Sequence, residues 1–114
     1  EAALRLSRTV GDAAFAALTL NNLAILARIR GEYERSADLS RESLAQARLA
    51  RGLDTQARAL QNLGIVARCR EQLPQARRFY QESLALFRSL AKPWDTALAL
   101  GNLGEVCTAL QEYR

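Results

Sequence analysis

Apolar and polar positions along this chain recur with one long period. Asn22-Leu23-Ala24, Asn62-Leu63-Gly64 and Asn102-Leu103-Gly104 stand 40 residues apart, each with a leucine (Leu20, Leu60, Leu100) two places before its asparagine. Glu42-Ser43-Leu44 returns as Glu82-Ser83-Leu84, and Asp54-Thr55 returns, shifted by one, as Asp95-Thr96. Within each period the apolar residues fall at helical spacing. A fixed repeat of this length predicts stacked helical hairpins, each burying a face that it cannot bury alone.

The same pattern places the elements. Residues 1–11 read as a trailing helix, with Leu4, Leu6 and Val10 apolar, that stops near Gly11. From Asp12, an expected N-cap, a helix packs through Phe15, Leu18, Leu20, Leu23, Ala24 and Ala27 until Gly31 ends it. Its partner runs from about Tyr33 to Ala50, with Tyr33, Ala37, Leu39, Leu44 and Ala47 packing. Residues 12–52 form a first repeat. Residues 53–92 form a second, pairing helices of about 55–70 and 73–90, with Pro74 in a first turn where its missing N–H costs nothing. Lys92-Pro93 then breaks the chain. The segment 93–114 opens a third repeat with a helix of about 96–110, whose Leu100, Leu103, Val106 and Leu110 are expected to lack a cover, as in a fragment of a longer array.

Composition narrows the class. Among 114 residues 49% are hydrophobic and 25% charged, the range of a folded protein rather than a disordered one. Alanine and leucine dominate and prolines number two, which favours an all-α chain. No apolar run is expected to reach the roughly 18–20 residues that cross a bilayer, and the N-terminus does not read as a leader, so the expected compartment is the cytoplasm. Cys69 and Cys107 lack metal-ligand spacing and the chain has no histidine, so neither metal nor cofactor is expected and both thiols read as packing residues. The net charge of +4 comes from arginines dispersed among acids, a pattern of solvated helix faces.

The second repeat reads Leu60-x2-Leu63-Gly64-x2-Ala67 and then Ala76-x3-Tyr80, which resembles the tetratricopeptide-repeat signature of a large apolar residue, Leu-Gly, then Ala and an aromatic. The first repeat departs from it, with Ala24 for Gly64 and Ser36 and Ser40 for Ala76 and Tyr80. A period of 40 rather than about 34 is similar to the longer-helix variety found in kinesin light chains and in sensor regions of bacterial signal-transduction ATPases resembling the maltose regulator. The resemblance implies a right-handed αα-superhelix of about six helices, and a binding groove lined by the first helix of each hairpin.

On those helices one stripe carries Leu18, Asn22, Ile25 and Ile29, the next Arg58, Asn62, Ile65 and Cys69, and the last Leu98, Asn102, Glu105 and Ala109. Asparagine is a mediocre residue in mid-helix, so its recurrence suggests a use. Each amide offers a donor and an acceptor, which suits the backbone of an extended peptide and equally suits tying neighbouring helices together. Apolar anchors would come from Leu18, Ile25, Ile65 and Leu98, and Arg28, Arg58 and Arg68 would favour an acidic peptide or carboxylate.

Catalytic readings lack parts. There is no glycine-rich phosphate loop, and without histidine no Ser-His or Cys-His pair. The expectation is a non-enzymatic scaffold that takes a peptide, a partner helix or another domain of a larger regulator, with self-association through uncovered end helices as a side route. The alternative is a segment that senses a ligand or signal peptide within a bacterial transcriptional regulator or ATPase. A nucleic-acid binder ranks last, since interleaved aromatics and a continuous basic row are missing.

Overall fold

The structure, a computed structural model, describes the backbone of residues 2–112 and the side chains of residues 10–111. Among the described residues it holds five α-helices and no strand: α1 (Ala2–Ile29), α2 (Tyr33–Leu49), α3 (Leu53–Cys69), α4 (Leu73–Ser89) and α5 (Pro93–Glu112). Consecutive helices pack on one another, and α1 also touches α3 directly. Thus α1, α3 and α5 make one layer, and α2 and α4 the other.

The unit of construction is a single helix and its linker. The positive-φ residues are Gly31, Arg51, Glu71 and Ala91, one every 20 residues. At each, two backbone bonds close the preceding helix. In the first linker the Gly31 N–H reaches Arg28 O at 2.9 Å and the Glu32 N–H reaches Ala27 O at 2.8 Å; Arg48 with Ala47, Arg68 with Ala67 and Arg88 with Phe87 accept in the same way. These reciprocal bonds satisfy carbonyls that a helix end would otherwise strand. Arg28, Arg48, Arg68 and Arg88 stand in the last turns, where a cation complements the negative end of the helix dipole. Only at Gly31 does the left-handed conformation fall on a residue without a Cβ. The prolines come at the other end, Pro74 in the first turn of α4 and Pro93 as the first residue of α5.

Serines join the two layers. Ser43 Oγ donates to Ala17 O (2.7 Å) and Ser83 Oγ to Ala57 O (2.9 Å), the same bond one period apart. The carbonyls lie beside alanines that are wholly buried, so the helices approach closely enough for a short side chain to span the gap. Around these pins lie three apolar clusters: Ala37, Leu44, Leu60, Leu63 and Val66 between α2 and α3; Ala57, Leu84, Phe87 and Ala99 among α3, α4 and α5; and Ala67, Ala76, Tyr80 and Val106 further along the same three helices.

Several sequence expectations change. α1 is continuous through Gly11, so the separate helix expected over residues 1–11 merges with the next and Asp12 caps nothing, giving five helices instead of about six. One exposed glycine costs a helix about 1 kcal/mol, which the alanine-rich run after it offsets. The packing expected of Leu4 and Leu6, and the continuation at Tyr113, lie outside the described side chains. Phe15, Leu18 and Leu23 are exposed, because the alanines Ala13, Ala17, Ala24 and Ala27 form the face of α1 that meets α2. Val106, expected to lack a cover, is buried against α4 and Tyr80, whereas Leu100 is exposed. Cys69 is exposed rather than packed. Val10–Ile29 forms 20 residues of mean hydropathy 1.4, long and apolar enough by length and composition to cross a bilayer, against the expectation of none.

Candidate functional site

The first-layer face carries the residues singled out from the stripes, and it sorts them into three settings. Leu18, Asn22 and Ile29 are exposed on α1, and Leu98 is exposed on α5. Ile25, Arg28, Arg58, Asn62 and Ile65 converge on a recess between α1 and α3, together with Asn21 and Gln61. Arg68 and Glu105 meet at 2.7 Å and link α3 to α5; the half-buried Asn102 lies on α5 below them.

The three asparagines therefore do not form a row of equivalent free amides. Asn62 is 3% exposed and its amide is consumed within the fold: Nδ2 donates to Ser36 Oγ (3.0 Å) and Ser40 Oγ (2.7 Å), and Oδ1 accepts from Arg28 Nε (2.8 Å). Ser36 Oγ in turn donates its own hydrogen bond to Ala24 O at 2.6 Å. A chain of hydrogen bonds thus runs from Arg28 through Asn62 and Ser36 to the backbone of α1, and burial without a partner is avoided throughout. Of the two roles open to a repeated asparagine, Asn62 takes that of tying helices together. Asn22 has no α2-like helix beside it among the described residues. One period on from Ser36 and Ser40 the chain carries Ala76 and Tyr80, so the register offers Asn102 no short hydroxyl of that kind.

Charge on this face is largely paired. Arg58 donates Nε to Asp54 Oδ2 at 3.1 Å and places Nη2 3.7 Å from Asp95 Oδ2, with its guanidinium carbon 6.0 Å from the centre of the Phe87 ring. Lys92 Nζ lies 2.9 Å from Asp54 Oδ1 but off the hydrogen-bonding direction, so that contact is an ion pair. Partial burial works to raise the Asp54 pKa, but Lys92 and Arg58 outweigh it and hold the carboxyl below its usual value. The one-residue shift between Asp54-Thr55 and Asp95-Thr96 matters here. It turns Asp95 about 100° around its helix relative to the Asp54 position, and both carboxylates then reach Arg58. These pairs bind the starts of α3 and α5, and they leave no continuous basic row.

Arg28 differs. Its Nε is fixed by Asn62, yet it makes no ion pair among the described residues. Beside it Asn21, 5% exposed, has a buried Oδ1 with no hydrogen-bond partner. Asn21 lies outside the stripes, and its only sign in the sequence is an Asn-Asn pair where the other repeats have Gln61-Asn62 and Gly101-Asn102. Trp94, the single tryptophan, also lies outside the spacing that picks the stripes, and it stands 77% exposed at the start of α5. That residue takes the place of Asp54 one period earlier, which was the available signal.

The tetratricopeptide repeat family matches this chain over residues 15–89 and again over 55–114. The protein belongs to that family, an all-α array of helical hairpins whose members serve as protein–protein interaction scaffolds. No curated protein matches the chain.

Proposed function

We propose that the α1–α3–α5 face receives a peptide or an amphipathic helix from a partner protein or from another domain of a larger regulator. The observation that carries this reading is the apolar exposure of that face. Leu18 and Ile29 on α1 and Trp94 and Leu98 on α5 stand in solvent along the stripes that also carry the half-buried Ile25 and Ile65. Exposed aromatic and aliphatic residues clustered on one side of a folded protein are anchors for a partner. The pairing of Arg58 and Arg68 with acids on the same face supports a peptide over a nucleic acid, whose phosphates need free cations. Free thiols at Cys69 and Cys107 suit the reducing cytoplasm, where we place the protein.

Selection of binding peptides from a displayed random library tests this. Peptides enriched on the wild-type chain should lose at least tenfold in affinity on Leu18→Asp and on Leu98→Asp, and should keep it on Leu49→Asp, an exposed change on α2. Enriched peptides indifferent to both α1–α3–α5 substitutions would remove the reading.

A further inference from the structure

We infer that α1 pairs with α1 of a second copy of this chain, as a parallel, in-register, two-stranded coiled coil. The inference rests on the docking reading of the α1–α3–α5 face and names the partner at its α1 edge.

Spacing and exposure carry it together. Gly11, Phe15, Leu18, Asn22, Ile25 and Ile29 follow one another at steps of 4, 3, 4, 3 and 4 residues, the heptad seam along which two helices wind around each other. The seam lies across α1 from Ala13, Ala17, Ala24 and Ala27, which meet α2, so the bodies of two paired copies stand on opposite sides of the pair. Ile25 is half-buried beside α3, but Phe15, Leu18 and Ile29, with Leu26 at the flank, each keep half to nearly three-quarters of their surface in water. At on the order of 200 Å² for a large residue in the open, pairing covers up to roughly 500 Å² per copy, about 1,000 Å² in all, the lower limit of a specific interface. A micromolar affinity fits that size.

Comparison along the repeat points to a copy of the same chain. Phe15, Leu18 and Ile29 stand where the next period has Thr55, Arg58 and Cys69, so α1 departs from the repeat toward larger apolar groups at positions that water reaches. A helix that meets its own copy in register sets each charge beside its like, which is repulsive. α3 carries Asp54, Arg58 and Arg68, whereas α1 has no charge at all from residue 13 to 27. Asn22 then selects the direction. It is exposed in the middle of the seam, and parallel pairing sets it against Asn22 of the other copy, where each amide donates to the other's carbonyl oxygen. An antiparallel pair would press it against Leu18 or Ile25 of the other copy, and a lipid bilayer would strip its water without supplying a partner. Asn62, at the same place in α3, is unavailable for such a pairing because Ser36, Ser40 and Arg28 already bond its amide.

Sedimentation velocity over a micromolar-to-millimolar concentration series tests the pairing. A monomer–dimer equilibrium is expected, loosened at least tenfold by Leu18→Asp and by Asn22→Asp and unchanged by Leu49→Asp. Both seam residues are exposed in the single chain, so helicity and melting temperature in dilute solution should hold in each variant. Direction is read from spin labels attached singly through Asp12→Cys and Arg30→Cys in a Cys69→Ser, Cys107→Ser background. Parallel pairing brings each label beside its own copy, so both spectra should broaden on dimerisation. A chain that stays monomeric, whether free or bound to phosphatidylcholine–phosphatidylglycerol vesicles, would overturn the proposal. So would association indifferent to both seam substitutions, or labels that fail to broaden. Library peptides that require Leu18 and Leu98 on a monomeric chain would then show that the docking reading stands and only the second copy had failed. Peptides indifferent to both residues would remove that reading as well.

Discussion

Two junctions join successive hairpins, and they solve one packing problem with opposite chemistry. Where α2 meets α3, Ser36 and Ser40 surround Asn62, and Arg28 closes the network. Where α4 meets α5, the same positions hold Ala76 and Tyr80, and the contact is an apolar cluster with Val106. The ring of Tyr80 lies so close to α3 that a Cβ on Gly64 would stand 2.6 Å from it. One period earlier Ala24 and Ser40 occupy those two places, where a small hydroxyl-bearing residue leaves room for a methyl. The residues exchange as a set, so the glycine follows from the ring and the asparagine's partners follow from the serines. Departures from the repeat signature in the first hairpin are thus a second self-consistent packing.

The largest test of that comparison converts one junction toward the other. Tyr80→Ser should cost about 3–5 kcal/mol by emptying a fully buried aromatic site. Gly64→Ala should cost about 1–3 kcal/mol alone, through overpacking, and become neutral or stabilising in the Tyr80→Ser background. Urea denaturation of the double-mutant cycle measures the coupling, and additive effects would break the account. Gly104, with nothing within 4 Å of an added Cβ, is the internal control, where alanine should gain up to about 1 kcal/mol.

The polar junction is the next test. Asn62→Ala strands buried hydroxyls and the Arg28 guanidinium, and should cost about 2–3 kcal/mol. Asn102→Ala, at the matching position of the apolar junction, should stay within about 0.5 kcal/mol. Equal losses at both sites would mean that the two asparagines have the same role.

A smaller effect with the opposite sign is expected at the apolar junction. The Tyr80 hydroxyl is buried without a partner, and burial pushes its pKa up. Tyr80→Phe removes an unsatisfied group while keeping the ring, so thermal unfolding should rise, by about 1 kcal/mol. A loss of stability would reveal a partner for that oxygen.

The smallest effect concerns pH. Asp54 has a folded pKa below its ordinary 3.8, so its contribution is fully present above that value and disappears as pH falls through the lower folded pKa. Because the carboxylate is 40% exposed, screening limits the effect to a few tenths of a kcal/mol. Acid titration should therefore show wild type more stable than Asp54→Asn by that small amount above about pH 4, with the two curves converging as pH falls below it.

Much of the architecture was legible because periodicity is local information. The 40-residue echo, the Ser43 and Ser83 repeat, and the turn at Gly31 each depend on residues close in sequence. The chain also holds a finer period: Arg28, Arg48, Arg68 and Arg88 mark the ends of α1 to α4 at 20-residue steps. The linkers at Arg51, Glu71 and Ala91 escaped a glycine search because backbone closure there holds ordinary residues at positive φ. Within the candidate site, the stripe positions Ile25, Arg58, Asn62 and Ile65 followed from helical spacing, with Arg28 flanking them, but the loss of the Asn62 amide to Ser36 and Ser40 did not. Those serines sit 26 and 22 residues away, and nothing in the spacing tells which neighbour a side chain will meet.

The sequence by itself determined the helices from α2 onward, the hairpin pairing and the family, because helix propensity and the repeat act along the chain. The tertiary structure alone decided which of three identically spaced asparagines is bound into the core, which of Arg28, Arg58 and Arg68 is left without an acid, and which buried oxygens lack a hydrogen-bond partner. Those outcomes depend on the helix packed alongside, and a hydrogen bond forms or fails over a few tenths of an ångström that no one-dimensional pattern records.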